Sequence, residues 1–448
     1  GDFAATLSHP SAELEKEYDE IVKLIASAQQ PDGYLNTFLT AVKPEERWAN
    51  LFDCHELYCA GHMIEAGVAA YELLGKTELL NVVCKYADYI DSVFGDEDGK
   101  RRGVPGHEEI ELALIRLYKA TGNERYLKLS KYFIDERGRE PNFYCEVEKV
   151  NRGRLVFQQA HKPVREQSEA IGHSVRAVYL YCGMVDVATL TNDEKLFNAC
   201  EKIFNSITQR RMYITGGIGS SFAGERFTVD YDLTNGSLMY AESCAAIGLV
   251  RFASRMLNAT GDSRYADIVE RAIFNGVLCG ISLSGDKYFY TNYLEVDDNT
   301  ALYNSGTKDR QPWFSCSCCP TNFCRFLPEM LQYIWSEGED EILLNIPVAN
   351  SYSSKLGEIE VTGGYPYDGN FTISVKNIIK ENVTLGIRIP DWAEKYNISL
   401  NGNSITQAPQ DGYIRIKVGS GDKLECFFDM PIKVMHSNPK ITGNAGRV

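Results

Sequence analysis

Up to about residue 340, apolar residues recur at three- and four-residue intervals, as in "HEEIELALIRLYKA" (107–120) and "HSVRAVYLYCGMVDVATL" (173–190). That spacing predicts helices that bury one face. The helices are punctuated by one repeated signature: "LLGKTELLNV" around Gly75, "ATGNERYLKL" around Gly122, "LTNDEKLFNA" around Asn192 and "ATGDSRYADI" around Gly261. In each, Gly or Asn can end a helix in the left-handed conformation, and a polar residue opens the next. These are corners between antiparallel helices. A chain of such hairpins predicts a helical toroid with its active site at one mouth; a superhelical solenoid is the alternative.

Beyond residue 340 the pattern changes. "EILLNIPVANSY", "GNFTISVKN", "NVTLGIRIP", "YNISLNG", "GYIRIKV" and "LECFFDM" are short alternating runs rich in β-branched and aromatic residues, separated by Gly, Asn and Pro. They predict an antiparallel sandwich. The expected division is therefore a helical domain over residues 1–338 and a β-sandwich over 339–448, incomplete at its C-terminus.

Composition narrows the function. A chain of 448 residues exceeds one ordinary core, and 44% hydrophobic with 24% charged residues is a globular balance. The net charge of −15 argues against a nucleic acid or an anionic membrane as partner. No run reaches the roughly 18 apolar residues of a membrane span. Gly1 opens the chain without a signal-peptide pattern, and "KITGNAGRV" ends it without a closing turn, so the sequence reads as a fragment. Thirteen cysteines, mostly single and in helix-like apolar stretches (Cys59, Cys84, Cys182, Cys200, Cys279), read as buried free thiols. They point to a reducing, cytoplasmic setting.

Chemistry gathers in a few places. "WFSCSCCPTNFC" (313–324) holds Cys316, Cys318, Cys319 and Cys324. Disulfides, a metal site and a reactive thiolate all compete to explain it. "YAESCAAIGLVRFA" (240–253) sets Glu242 two residues before Cys244. With Cys318 and Cys319 they offer one carboxylate and three thiols, a set zinc accepts; unligated buried thiols remain the other reading. The loop "TGGIGSSFAGERFTVDYDL" (215–233) carries Glu225, a candidate general acid/base or an ordinary loop carboxylate. Of seven histidines, His55 and His62 share one helix opening, while His107 and His173 each follow Gly at another. In a toroid those ends line one mouth, where imidazoles can bond sugar hydroxyls.

Taken together, "QQPDGYLNTF" (29–38), "HELYCAGHMIEA" (55–66), "GHEEIELALIRLY" (106–118), "GHSVRAVYLY" (172–181), "TGGIGS" (215–220), "GERFTVDYDL" (224–233), "YAESCAAIGL" (240–249) and "WFSCSCCPTN" (313–322) resemble glycoside hydrolase family 127, the zinc-thiolate β-L-arabinofuranosidases. The resemblance implies a mainly α fold, an (α/α)6 barrel followed by an antiparallel β-sandwich. It implies one Zn²⁺ on Glu242, Cys244, Cys318 and Cys319, with Cys318 also the nucleophile and Glu225 the general acid/base. His55, His107 and His173 would hold the sugar, joined by Tyr290 of "YFYTNYLE". Two stretches depart from the family pattern: "DYDLTNGSLMYAE" lacks the Pro of "DLPND", and "TNYLE" replaces "NPLE". Adjacent Cys318 and Cys319 are expected to reach one metal through a sharp, irregular turn favoured by Pro320.

The expected activity is retaining, exo-acting hydrolysis of β-L-arabinofuranosides through a thioglycosyl enzyme, with the Glu225 carboxyl raised in pKa by an enclosed site. A different pentose or acidic sugar, or a carbohydrate-binding protein with a structural zinc, are the alternatives. The expected partner is a small carbohydrate, with a homodimer as the assembly to consider.

Overall fold

The computed structural model describes residues 11–296, 298 and 307–444; His9 lies outside them. The fold is mainly α, an (α/α)6 barrel followed by a β-sandwich. Contacts divide the chain into one compact unit of 1–252 and 275–325, and another of 253–274 and 326–448.

In the first unit, long helices pair through the corners. Gly75, Gly122 and Asn192 end helices Glu56–Leu74, Ile110–Thr121 and Ser174–Thr191 at φ of 67°, 71° and 54°. Asn123 and Asp193 then cap helices Glu124–Glu136 and Glu194–Ser206 with their side chains. The outer helix Glu124–Glu136 buries a single stripe, Tyr126, Leu129, Ser130, Phe133 and Ile134. The inner helix Ser174–Thr191 is buried on nearly every side.

Inner helices approach closely at glycines. A Cβ on Gly61 would fall 2.7 Å from the Glu109 side chain, and one on Gly183 2.8 Å from that of Glu111. One on Gly248 would collide with Val178. Only hydrogen fits at these crossings.

The inner helices also share a direction. His55 and His173 are the N-terminal caps of Glu56–Leu74 and Ser174–Thr191, and His107 stands just ahead of Ile110–Thr121. Glu242 immediately precedes helix Ser243–Thr260, and Cys318 is the first residue of helix Cys318–Glu329. Positive helix ends therefore meet where the candidate anionic groups lie. The Gly-rich loop is anchored there by a two-residue ladder of β1 (Gly172–His173) and β2 (Arg226–Phe227).

The second unit holds two sheets. β3 to β12 are Trp335–Glu337, Glu341–Leu344, Asn350–Ser353, Gly357–Gly363, Asn370–Ile378, Thr384–Arg388, Tyr396–Leu400, Asn403–Ser404, Tyr413–Lys417 and Lys423–Phe428. One sheet runs β10-β9-β12-β7-β6-β5 and the other β11-β8-β4-β3. Alternation sets the buried faces: β12 turns Leu424, Cys426 and Phe428 inward, opposite Ile373 and Phe371 of β7. One pairing departs from the antiparallel expectation, since β4 and β8 run parallel. The chain leaves that sheet after β4 to build β5, β6 and β7 of the other, and returns in the same direction.

Helix Ser263–Arg271 belongs to this unit. Its Asp267 and Glu270 pair with Arg388 of β8, a guanidinium only 1% exposed that also donates to the Asn345 carbonyl at 2.6 Å. Among the described residues no helix is long and apolar enough to cross a membrane.

Candidate active site and metal centre

Glu242, Cys244, Cys318 and Cys319 converge in the first unit, with their ligand-capable atoms all within 4.8 Å of one another. The Cys244 and Cys319 sulfurs are 3.4 Å apart, Cys318 and Cys319 3.8 Å, and Glu242 Oε1 lies 3.5 Å from both Cys318 and Cys319. A tetrahedron around bonds of about 2.3 Å has edges of roughly 3.7 Å, so these separations suit a single four-coordinate cation. Glu242 is 1% exposed and its Oε2 has no hydrogen-bond partner. An orphaned buried carboxylate oxygen among three sulfurs fits a metal ion better than a purely protein environment.

The local fold explains the convergence. Ala241 adopts φ 47°, and its N–H donates to the Gly219 carbonyl at 2.8 Å. Ser243 N–H donates to the Tyr290 carbonyl at 2.9 Å, which fixes Glu242 between two backbone anchors. The expected irregular turn at Cys318–Cys319 is replaced by regular helix: both residues begin helix Cys318–Glu329. The first helical N–H groups have no intrahelical acceptor, so Pro320 costs nothing there and successive side chains fan around the helix end.

Burial and crowding raise the pKa of three of these four groups and leave one lowered. Burial, then the neighbouring Cys318, pushes the Glu242 carboxyl well above its ordinary value. Hydrogen bonding to Cys244 pushes Cys318 up to about 12, and burial pushes Cys319 well up. Burial acts the same way on Cys244, but hydrogen bonds from Cys318 and Cys319 outweigh it and bring that thiol down to about 7. A divalent cation would reverse this logic for the whole set.

Glu225 sits at φ 50°, right after Gly224 at φ 79°. Its carbonyl accepts from both the N–H and the hydroxyl of Ser174, at 2.9 and 3.0 Å, pinning it to the start of an inner helix. A left-handed non-glycine residue stores backbone strain, a feature that concentrates at working sites. Its Oε2 is 2.9 Å from His173 Nε2. Because Val175 N–H donates to His173 Nδ1 at 3.2 Å, the ring proton resides on Nε2 and is donated to Glu225. Here the structure corrects the sequence reading. Burial does push Glu225 upward, but His173, Tyr240 and the Arg176 charge outweigh it, and the carboxyl lies below its ordinary value.

The other candidates meet at the same mouth. The rings of His55 and His107 are 5.7 Å apart, and those of His107 and His173 5.9 Å. Burial lowers the pKa of all three, which leaves neutral imidazoles able to donate and accept. The Tyr290 hydroxyl accepts from Cys318 at 3.2 Å and lies 3.7 Å from Cys316. His62 Nδ1 lies 3.0 Å from Glu109 Oε1 and 2.6 Å from Arg325 Nη1. All thirteen cysteines are free; of the five expected to be buried, Cys182 and Cys200 are, Cys84 is half-buried, and Cys59 and Cys279 are exposed, while Cys316 and Cys324 of the cluster are also exposed.

Three neighbours escaped the sequence reading. Phe157 packs edge-on against His173, with ring centroids 5.3 Å apart. Arg176 lies over Phe157 and donates to the Gly106 carbonyl at 2.5 Å. Tyr240, buried, interacts with both Glu225 and Glu242. Arg176 did leave a signal, being a cation in the otherwise apolar stretch "HSVRAVYLY".

Comparisons with known proteins agree with this geometry. Residues 4–332 match the model "Beta-L-arabinofuranosidase, GH127 catalytic domain", and residues 341–432 the corresponding GH127 middle domain. A non-reducing end beta-L-arabinofuranosidase of Bifidobacterium longum subsp. longum is 39% identical, over 98% of this chain and 71% of that protein. The crystal structure of a beta-L-arabinofuranosidase from Geobacillus stearothermophilus T6 superposes with a TM-score of 0.94 at 42% identity, covering 99% of this chain and 73% of that one. A second solved beta-arabinofuranosidase gives a TM-score of 0.90 at 35% identity, covering 99% and 72%. With both family models matched in order along the chain, and a carboxylate–thiol cluster at the mouth of its barrel, this protein belongs to glycoside hydrolase family 127 and is a glycoside hydrolase.

Proposed function

We propose that the chain is a retaining, exo-acting hydrolase of β-L-arabinofuranosides. Cys318 is its nucleophile, Glu225 its general acid/base, and Glu242, Cys244, Cys318 and Cys319 its zinc ligands. Residues 1–338 form the catalytic domain in this reading, and 339–448 the sandwich. One observation carries the assignment of roles. Three of the four clustered side chains are buried and Cys318 alone is partly exposed, so its sulfur is the one a substrate can reach. The activities named for the relatives support the choice of sugar.

Zinc on this set supplies ionised sulfur at neutral pH without a general base. In the first step the Glu225 carboxyl gives its proton to the glycosidic oxygen. The bond from that oxygen to the anomeric carbon breaks as the Cys318 sulfur bonds to the carbon. In the second, the Glu225 carboxylate takes a proton from water, whose oxygen attacks the same carbon, and the carbon–sulfur bond breaks to release thiolate. Two inversions retain the configuration. His173 orients Glu225 through Nε2–H, while His55 and His107, uncharged, bond sugar hydroxyls. The Tyr290 hydroxyl steadies the sulfur before attack.

The test is a panel of p-nitrophenyl glycosides assayed with zinc and reductant, in which the β-L-arabinofuranoside is turned over fastest. Faster turnover of another pentose or an acidic sugar would overturn the substrate. Glu225→Gln should keep the metal content and lower the rate roughly 10²–10⁴-fold on poor leaving groups, far less on activated aryl ones. Equal losses on both would remove Glu225 from its role.

A further inference from the structure

Ser221 and Arg226 pair across an antiparallel bridge, each N–H donating to the other's carbonyl, at 3.1 and 3.0 Å. Phe222, Ala223, Gly224 and Glu225 close the hairpin between them, with the Glu225 N–H donating to the Phe222 carbonyl at 3.1 Å. Phe222 and Glu225 are thus the first and last residues of one turn, their Cα atoms within roughly 7 Å of each other. Turn tips favour Gly, Asn, Asp and Ser, and a phenyl ring gains little there from folding. Phe222 is nonetheless at the tip, 42% exposed. One side of it is covered: its ring packs edge-on with that of buried Tyr240, centroids 5.8 Å apart. The Tyr240 ring lies 6.3 Å from that of Tyr290, whose hydroxyl is 3.2 Å from the Cys318 sulfur. A wall of three rings therefore runs outward from Cys318 and ends in Phe222, beside Glu225.

We propose that Phe222 is a specificity-determining residue, an aromatic platform for a leaving group that is itself a sugar ring. The inference rests on the hydrolase reading above. In that reading Glu225 protonates the glycosidic oxygen, so the leaving group departs on the side of Glu225, where the hairpin tip stands. A sugar ring carries hydroxyls at its rim and a patch of C–H groups on its face. Neighbouring oxygens make those hydrogens positive, and they suit the negative face of an aromatic ring. Stacking also takes apolar surface of both partners out of water. A small alcohol has no such face to offer. Phe222 therefore favours β-L-arabinofuranosides of a second sugar over those of a small alcohol, without touching the arabinofuranose.

The experiment compares two substrates on the full chain, assayed with zinc and reductant by the arabinose released: methyl β-L-arabinofuranoside and a β-L-arabinofuranosyl-arabinose disaccharide. Phe222→Ala should lower kcat/KM on the disaccharide about 10-fold, mainly by raising KM, because a platform that holds the ground state and the transition state alike leaves kcat in place. On the methyl glycoside the same variant should lose less than about twofold, since no ring is there to stack. Phe222→Trp, which restores a flat face, should return the disaccharide to within about twofold of wild type. Phe222→Leu keeps apolar packing on Tyr240 without a flat face, and should show the split of Phe222→Ala even if that variant folds poorly. Equal losses on both substrates would overturn the inference, by making Phe222 a support for Glu225. Undiminished kcat/KM on the disaccharide in Phe222→Ala and Phe222→Leu would overturn it while leaving the hydrolase reading intact. Wild-type protein that turns over neither glycoside would overturn both.

Discussion

His173 sets the charge state of Glu225. Its Nδ1 is occupied by the Val175 N–H, so its only proton points at the carboxylate, and a donor to the charged form holds the pKa down. In the proposed mechanism the first step needs Glu225 protonated, so activity falls as pH rises through that pKa. Removing the donor raises it. His173→Ala should therefore carry the alkaline limb of kcat/KM to higher pH while lowering its plateau because Glu225 is no longer oriented. An unmoved limb would assign it to another group. The candidate ligands Glu242, Cys244, Cys318 and Cys319 and the loop carboxylate Glu225 were legible in the sequence, because short motifs carry them. The direction of the Glu225 shift was not, since it depends on a tautomer set by one backbone N–H 50 residues away.

Among the helices, glycine works in two distinct ways. At the corner, Gly122 has open space around its Cα and is required by its φ of 71° alone. On the inner helix, Gly183 has ordinary helical geometry and is required by the Glu111 side chain packed against it. Gly122→Ala should cost about 1 kcal/mol from backbone strain, and Gly183→Val roughly 1–3 kcal/mol or more from overpacking, both read from urea midpoints at unchanged slope. A Gly183→Val protein as stable as wild type would mean that the inner helices can part. Corners were readable because Gly or Asn followed by a polar cap is a local signal. Inner and outer helices were harder to tell apart, since full burial of Ser174–Thr191 depends on its neighbours. The parallel β4–β8 pair was unreadable, because alternation specifies which face is buried and not which way the adjacent strand runs.

At the scale of the molecule, the β-sandwich expected from residues 339–448 has a helical member earlier in the chain. Arg388 draws its counter-charges from Asp267 and Glu270, and Trp392 Nε1 donates to Glu270 at 3.1 Å. A fragment of 339–448 alone would leave this guanidinium buried without either carboxylate. It should express as an unfolded or aggregating product, whereas within the full chain Arg388→Met, which removes the charge itself, should be tolerated better than Asp267→Ala. A stable, soluble 339–448 fragment with cooperative melting would contradict this.

The long reach of that ion pair also has a history in time. Arg388 follows Glu270 by 118 residues. At ribosomal rates of about 5–20 residues per second, the helix waits on the order of ten seconds for its partner to be made. Throughout that interval Asp267 and Glu270 have no Arg388 to pair with, and the cost of burying them alone keeps that helix from settling into its final place. A strand made this late thus decides when a helix made long before it can be buried.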